Sequence, residues 1–224
     1  MIKLEDIYKI YNQNKTNQFS AIKDINLTIL HNELVLIKGV SGSGKSTLLS
    51  VMATFIKPTS GKLQILDEQV TKYPDIYLSQ FRAKNIGFVF QSFNLFENLS
   101  IYENILPPLI VSFSKQKSQK KRIDETLKLL DIYDKKDQIV STLSGGEKQR
   151  SAIARAIIND PDILFFDEPT ANLDQKNSEN FLVIIKKLKS LGKTIIISTH
   201  DTIFDKLDCI DKTITLFKGR IVEQ

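Results

Sequence analysis

Apolar residues recur at two spacings along this chain, and the change from one to the other divides it. Up to Gln91 they come in short runs separated by polar turns. Ile2-Leu4, Ile25-Leu27-Ile29, Leu34-Val35-Leu36-Ile37, Lys62 to Leu66 and Ile86 to Phe90 read as strands. Asn12 to Asn17 and His31-Asn32-Glu33 read as turns, and Tyr73 to Lys84 as a turn plus a helix. From Ser100 to about Asp137 the period becomes helical, with Ile123, Leu127, Leu130 and Ile132 near one face, which predicts an inserted helical lobe. Beyond it, Ala152, Ile153, Ala156 and Ile157 share a helix face. Ile163-Leu164-Phe165-Phe166 is wholly apolar and predicts a central parallel strand buried on both faces. An amphipathic helix is predicted over Phe181 to Leu191, closed by Gly192. Thr194 to Ser198 is a second buried strand, and Thr213 to Phe217 precedes a Lys218-Gly219 turn and Arg220-Ile221-Val222. Strands alternating with helices predict an α/β core with a mostly parallel sheet. No internal repeat or low-complexity segment is evident.

Chemistry collects where predicted strands end. Leu34 to Lys38 runs into Gly39-Val40-Ser41-Gly42-Ser43-Gly44-Lys45-Ser46, which fits G-x-x-x-x-G-K-[ST], and a helix follows. The glycines let the backbone turn tightly and aim N–H groups at phosphate oxygens. Lys45 adds a point charge and Ser46 a hydroxyl for Mg²⁺. Asp167 ends the strand Ile163–Phe166, where a carboxylate can hold Mg²⁺, and Glu168 is the candidate base for an attacking water. His200 ends the next buried strand and Gln91 ends Ile86–Phe90, so both are candidates for the same edge. A second segment, Leu143-Ser144-Gly145-Gly146-Glu147, runs straight into a helix and reads as a second phosphate cradle.

Composition narrows the setting. The 224 residues are 42% hydrophobic and 25% charged, ordinary for a globular protein, and the length suits one domain with an inserted lobe. A net charge of +5 is weak support for nucleic-acid binding, and the basic run Lys115 to Arg122 reads as a solvated face. The single cysteine, Cys209, excludes a disulfide framework within the chain and fits a reducing compartment. The first residues lack a signal-peptide shape. The longest apolar candidate, Ile105 to Phe113, is short of the ~18 residues a span requires and is broken by Pro107-Pro108. The expectation is a cytoplasmic chain whose membrane role comes through a partner.

Together these motifs resemble the ATP-binding cassette (ABC) ATPases over essentially the whole chain. Gly39–Ser46 resembles their Walker A, Ile163–Asp167 with Glu168 their Walker B and catalytic glutamate, Gln91 their Q-loop and His200 their switch histidine. Ala171-Asn172-Leu173-Asp174 is similar to the D-loop, and Leu143–Glu147 to the signature LSGGQ, departing only at Glu147. The resemblance implies a P-loop (RecA-like) core with a mostly parallel sheet, an N-terminal antiparallel β subdomain and an inserted α-helical subdomain. The whole would be a single domain over 1–224, with core and β subdomain at about 1–98 and 160–224 and helices at about 99–159.

It also implies the site. Gly39, Val40, Ser41, Gly42, Ser43, Gly44, Lys45, Ser46, Thr47 and Gln91 would bind ATP, with Tyr11 (Tyr8 a weaker candidate) stacking on adenine. Ser46, Gln91 and Asp167 would hold Mg²⁺, and Glu168, His200 and Lys45 would carry hydrolysis. Ser144, Gly145, Gly146, Glu147 and Asp174 would act in trans on ATP held by a second cassette, which makes a homodimer the simplest assembly. A single cassette resembles the separate ATPase subunit of a transporter, docked on an integral-membrane permease at the inner face of the membrane. No nucleic-acid partner is expected, because repair-type cassettes carry long coiled-coil or zinc insertions that are not seen here.

Asn85 to Leu95 is similar to the branch serving lipoprotein release, macrolide-type export and antimicrobial-peptide resistance. The cell-division ATPase, which transmits force rather than cargo, is the alternative. The permease contact would fall near Gln91 to Tyr102, where Phe93, Leu95, Phe96 and Leu99 either form a docking surface or pack the lobe junction.

Overall fold

A computed structural model describes residues 1–111 and 116–223. Two sheets are present among them. β1 (Ile2–Tyr11), β2 (Phe19–Ile29) and β4 (Ser60–Ile65) form an antiparallel sheet in the order β2-β1-β4. β3 (Leu34–Lys38), β5 (Ile86–Val89), β6 (Ile163–Asp167), β7 (Thr194–Thr199) and β8 (Lys212–Phe217) form a parallel sheet ordered β5-β6-β7-β3-β8. β9 (Arg220–Glu223) adds an antiparallel edge through the Lys218-Gly219 turn.

Alternation along each strand divides its side chains between two hydrophobic layers. Ile163 and Phe165 join Val35, Ile37 and α1 (Lys45–Met52) beneath the antiparallel sheet. Leu164 and Phe166 face the other way, toward Phe181 and Ile185 of α6 (Gln175–Ser190) and Ile153 of α5 (Gly145–Ile157). α3 (Ile101–Val111) and α4 (Gln116–Leu129) feed Ile101, Ile105, Ile123 and Leu127 into this second layer, so the helical insert shares the sheet's hydrophobic interior. A further helix, α2 (Asp75–Asn85), leads into β5.

Four elements differ from the expectation. β1 and β2 are longer than their apolar cores, because left-handed residues at Asp6 and Asp24 (φ 51° and 55°) accompany register shifts that interrupt the alternation without ending the pairing. α6 starts at Gln175 rather than Phe181, because its polar first turns lack periodicity but Asp174 caps them by accepting from the Asn177 N–H at 2.8 Å. α3 runs through Pro107-Pro108. Two interior prolines are costly in a helix, yet Ile101, Ile105 and Leu109 on its buried face hold it against the core.

Register explains where the chemistry lies. Asp167 pairs with Ser198, and Lys38 with Thr199, so β3, β6 and β7 end level with one another. The Gly39–Ser46 loop, the Asp167-Glu168 pair and His200 therefore leave the sheet at one carboxyl edge, where open α/β sheets bind ligands.

Candidate functional site

The loop between β3 and α1 is shaped by its glycines. Gly44 sits at φ 106°, and a Cβ there would lie 2.6 Å from the Ala21 carbonyl oxygen. A side chain is excluded by both conformation and space. The C-terminal hairpin braces the same point. The Gly219 N–H donates to the Ser43 carbonyl at 2.9 Å, and the Lys23 N–H donates to the Gly219 carbonyl at 2.8 Å. Gly219, at φ 80°, would also bring a Cβ within 2.6 Å of the Ala21 oxygen. Gly219→Ala is expected to lower the melting temperature by about 5–10 °C, from a left-handed penalty plus a backbone clash. Scanning calorimetry checks this, and an unchanged melting temperature would show that the hairpin does not brace the loop.

Lys45 is nearly buried. Its ammonium donates to the Gly39 and Val40 carbonyls at 2.8 and 3.3 Å and pairs with Glu168 Oε1 at 3.1 Å. Glu168 adopts a left-handed φ of 46°, which turns its carboxylate away from Asp167 and into the site. Its N–H donates to the Ser198 carbonyl at 3.0 Å, and its Oε2 lies 2.9 Å from His200 Nδ1. Lys45, Glu168 and His200 thus form one connected polar chain. Beside it, Asp167 Oδ1 accepts from Ser46 Oγ at 3.0 Å and from the buried Ser198 Oγ at 2.5 Å.

These groups border a cavity of about 750 Å³. Its wall includes Val40, Ser41, Gly42, Gly44, Lys45, Ser46, Thr47, Gln91, Glu168 and His200, so most of the expected set is brought together. Gly39 and Ser43 form the loop's frame behind that surface. Asp167 stands behind Ser46. The Gln91 backbone is tied to the D-loop-like segment, its carbonyl accepting from Asn172 Nδ2 at 3.2 Å. Tyr11 is one ring back from the cavity. It stacks on Phe19, with centroids 5.2 Å apart, and Phe19 is the aromatic that lines the wall. Tyr8 is not among the lining residues.

Contributors outside the expected set include Phe19, Ser20, Ala21, Lys23, Lys218 and Gly219 on the wall and Ser198 beside Asp167. Phe19 carries a faint signal as an aromatic closing a polar turn. Ser198 is recognisable only once the parallel register sets it beside Asp167.

The second cradle lies elsewhere. None of Ser144, Gly145, Gly146, Glu147 or Asp174 borders the cavity. Ser144 caps α5 in a reciprocal box: its Oγ accepts from the Glu147 N–H at 3.4 Å, and Glu147 Oε2 accepts from the Ser144 N–H at 2.8 Å. Lys135 pairs with the other carboxylate oxygen. The Lys135 ammonium first, and the Ser144 N–H second, hold the Glu147 carboxyl down at about 2. A Cβ on Gly146 would fall 2.1 Å from Asn177 Oδ1, so the two helix starts touch, and Asp174 pins that Asn177 amide at 3.0 Å.

Comparison with known proteins agrees with this geometry. A family model described as "ABC transporter" matches residues 22–171. An "Uncharacterized ABC transporter ATP-binding protein" of Thermotoga maritima is 40% identical over 99% of this chain and 93% of its own length. The "Bacitracin export ATP-binding protein BceA" of Halalkalibacterium halodurans is 37% identical over 91% of this chain and 80% of its own. Among solved structures, the ATP-binding cassette MJ0796, a dimer in a post-hydrolysis state bound to ADP and Pi, superposes with a TM-score of 0.91 at 36% identity. That match covers 100% of this chain and 97% of that one. A braced glycine loop, a carboxylate pair at the adjoining strand end and a signature-like helix start, over a match of this extent, place the chain in the ABC transporter family as an ATP-hydrolysing, ATP-binding subunit.

Proposed function

We propose that two copies of this chain close head to tail on ATP and drive a separate membrane permease of the export or extraction type. The observation that carries the dimer is the separation just described. The nucleotide cavity has a phosphate loop, a carboxylate pair and His200 on its wall, while the chain's own Ser144–Glu147 cradle lies outside it. A second copy supplies that cradle across a two-fold axis. The described dimer of MJ0796 with ADP and Pi supports the arrangement.

Within each cavity, the loop N–H groups and Lys45 hold the β- and γ-phosphates. Ser46 and Asp167, with the Gln91 amide, form an all-oxygen donor set that suits Mg²⁺. Bound there, Mg²⁺ would neutralise charge on the phosphate oxygens. Glu168 takes the proton of the attacking water, and His200, 2.9 Å from its Oε2, orients that carboxylate. The Tyr11–Phe19 stack offers the base an aromatic face.

The permease reading rests on the segment after Gln91. Phe93 is buried and packs the lobe junction, whereas Phe96 is 60% exposed and Leu99 37% exposed. Buried Asn104 holds the Phe96 backbone at both its N–H (2.7 Å) and its carbonyl (3.1 Å), so the ring is displayed from a fixed frame. Among the described residues no helix is long and apolar enough to cross a membrane. A spanning partner that supplies the passage fits this reading. The likeness to a bacitracin export ATPase supports export.

The dimer is tested by specific activity against protein concentration. It is expected to rise with concentration as chains associate, and Ser144→Arg should abolish the rise. A specific activity independent of dilution overturns the reading. Affinity capture of the tagged chain from its own membranes tests the branch. A permease with four spans and a large extracytoplasmic domain supports export, and a six-span permease argues against this branch.

A further inference from the structure

We infer that Lys135 is a positioning residue of the signature cradle, there to cancel the charge of Glu147 so that a phosphate can approach. This deepens the two-chain reading above and rests on it.

Glu147 is the third residue of α5, in the first turn where the helix presents bare N–H groups. Its carboxylate suits the helix end, since an anion there is favourable. It is poorly suited to a phosphate cradle, because it offers negative charge where the nucleotide's own must come. Its side chain cannot swing away. One oxygen accepts the Ser144 N–H at 2.8 Å, and the carboxylate is mostly buried.

The remaining oxygen is taken by Lys135, from a separate 3-10 turn, Tyr133–Lys135. That turn is itself fixed. The Lys135 N–H donates to the Ile132 carbonyl at 3.2 Å, and the Lys135 carbonyl accepts from the Gln138 N–H at 2.9 Å. The pair is thus a neutral unit built into the cradle's first turn, and it leaves the Gly145 and Gly146 N–H groups unopposed. The next cation on this helix, Lys148, pairs with Glu97 at 3.0 Å rather than with Glu147. A neutral glutamine at position 147 would need no such partner. Lys135 therefore matters to the phosphate only while residue 147 is charged, which separates this role from simple packing.

The test is dimer formation with Mg-ATP, measured by light scattering in a Glu168→Gln background. Lys135→Met is expected to raise the ATP concentration for half-maximal dimer by about tenfold, from loss of one compensating charge near the phosphate. Lys135→Arg should stay within about threefold of the parent, because it keeps the charge. In the Lys135→Met/Glu147→Gln pair, ATP dependence should match that of Glu147→Gln alone. If Lys135→Met dimerises like the parent, or if adding Glu147→Gln restores nothing, the inference is overturned. A parent that stays monomeric in Mg-ATP removes the two-chain reading, and this inference with it. A dimerising parent indifferent to Lys135→Met removes this inference alone.

Discussion

Glu168→Gln is expected to cut ATP turnover by about a hundredfold or more while leaving nucleotide bound and the ATP dimer trapped. The side chain is held by Lys45 at 3.1 Å and His200 at 2.9 Å, and its backbone N–H by the Ser198 carbonyl at 3.0 Å. Glutamine keeps the bond to Lys45, since its oxygen can face the ammonium, and its amide N–H can face His200 Nδ1 while giving up the bond that Oε2 accepts from the His200 backbone N–H at 3.3 Å. It cannot accept a proton from water. The substitution also removes one negative charge from a site that must hold a triphosphate, so binding should hold or tighten. Phosphate release, nucleotide titration and light scattering together check this. Near-normal turnover would show that Glu168 is not the base. A variant that binds ATP but stays monomeric would sink the two-chain site.

The sequence carried the parts of this site that depend on local geometry. Strand, glycine loop and helix are contiguous, so Gly39 to Thr47 could be read directly. Asp167 is legible because it closes a wholly apolar run, and His200 because it follows a strand centred on Ile195-Ile196-Ile197; such buried strands must end at an edge of the sheet. What depends on register or on distant chain was not legible. Ser198 lies on the strand beside Asp167 and touches its carboxylate only because the parallel register sets the two opposite. The Lys218-Gly219 turn is legible locally, yet its bond to Ser43 joins residues far apart along the chain. Tyr11 and Phe19 flank one polar turn, and only the folded hairpin decides which ring fronts the cavity. The Lys135–Glu147 pair was hidden for a similar reason. It joins a 3-10 turn without periodic signature to the start of a helix, and only the folded chain sets the two side by side.

Lys45→Ala is expected to reduce turnover by about a thousandfold and nucleotide affinity by about tenfold or more, because three consequences of the loss act in the same direction. The phosphate loses its nearest buried cation. The Gly39 and Val40 carbonyls, which accept from the ammonium at 2.8 and 3.3 Å, lose their donor and present bare oxygens near the incoming anion. Glu168 loses its partner at 3.1 Å, so its carboxylate repels a γ-phosphate that the ammonium had screened. Lys45→Arg should fail as well, because a planar guanidinium does not fit a side chain only 6% exposed and cannot serve three partners from one compact charge. The fold should survive, since Leu48, Leu49, Val51 and Met52 keep α1 in the core and the Gly219 N–H still holds Ser43. A cooperative melt alongside lost phosphate release would separate a chemical defect from unfolding. Turnover near that of the parent would mean that Gly39–Ser46 is not the phosphate loop. Glu168 and His200 would then face a cavity with no role in hydrolysis.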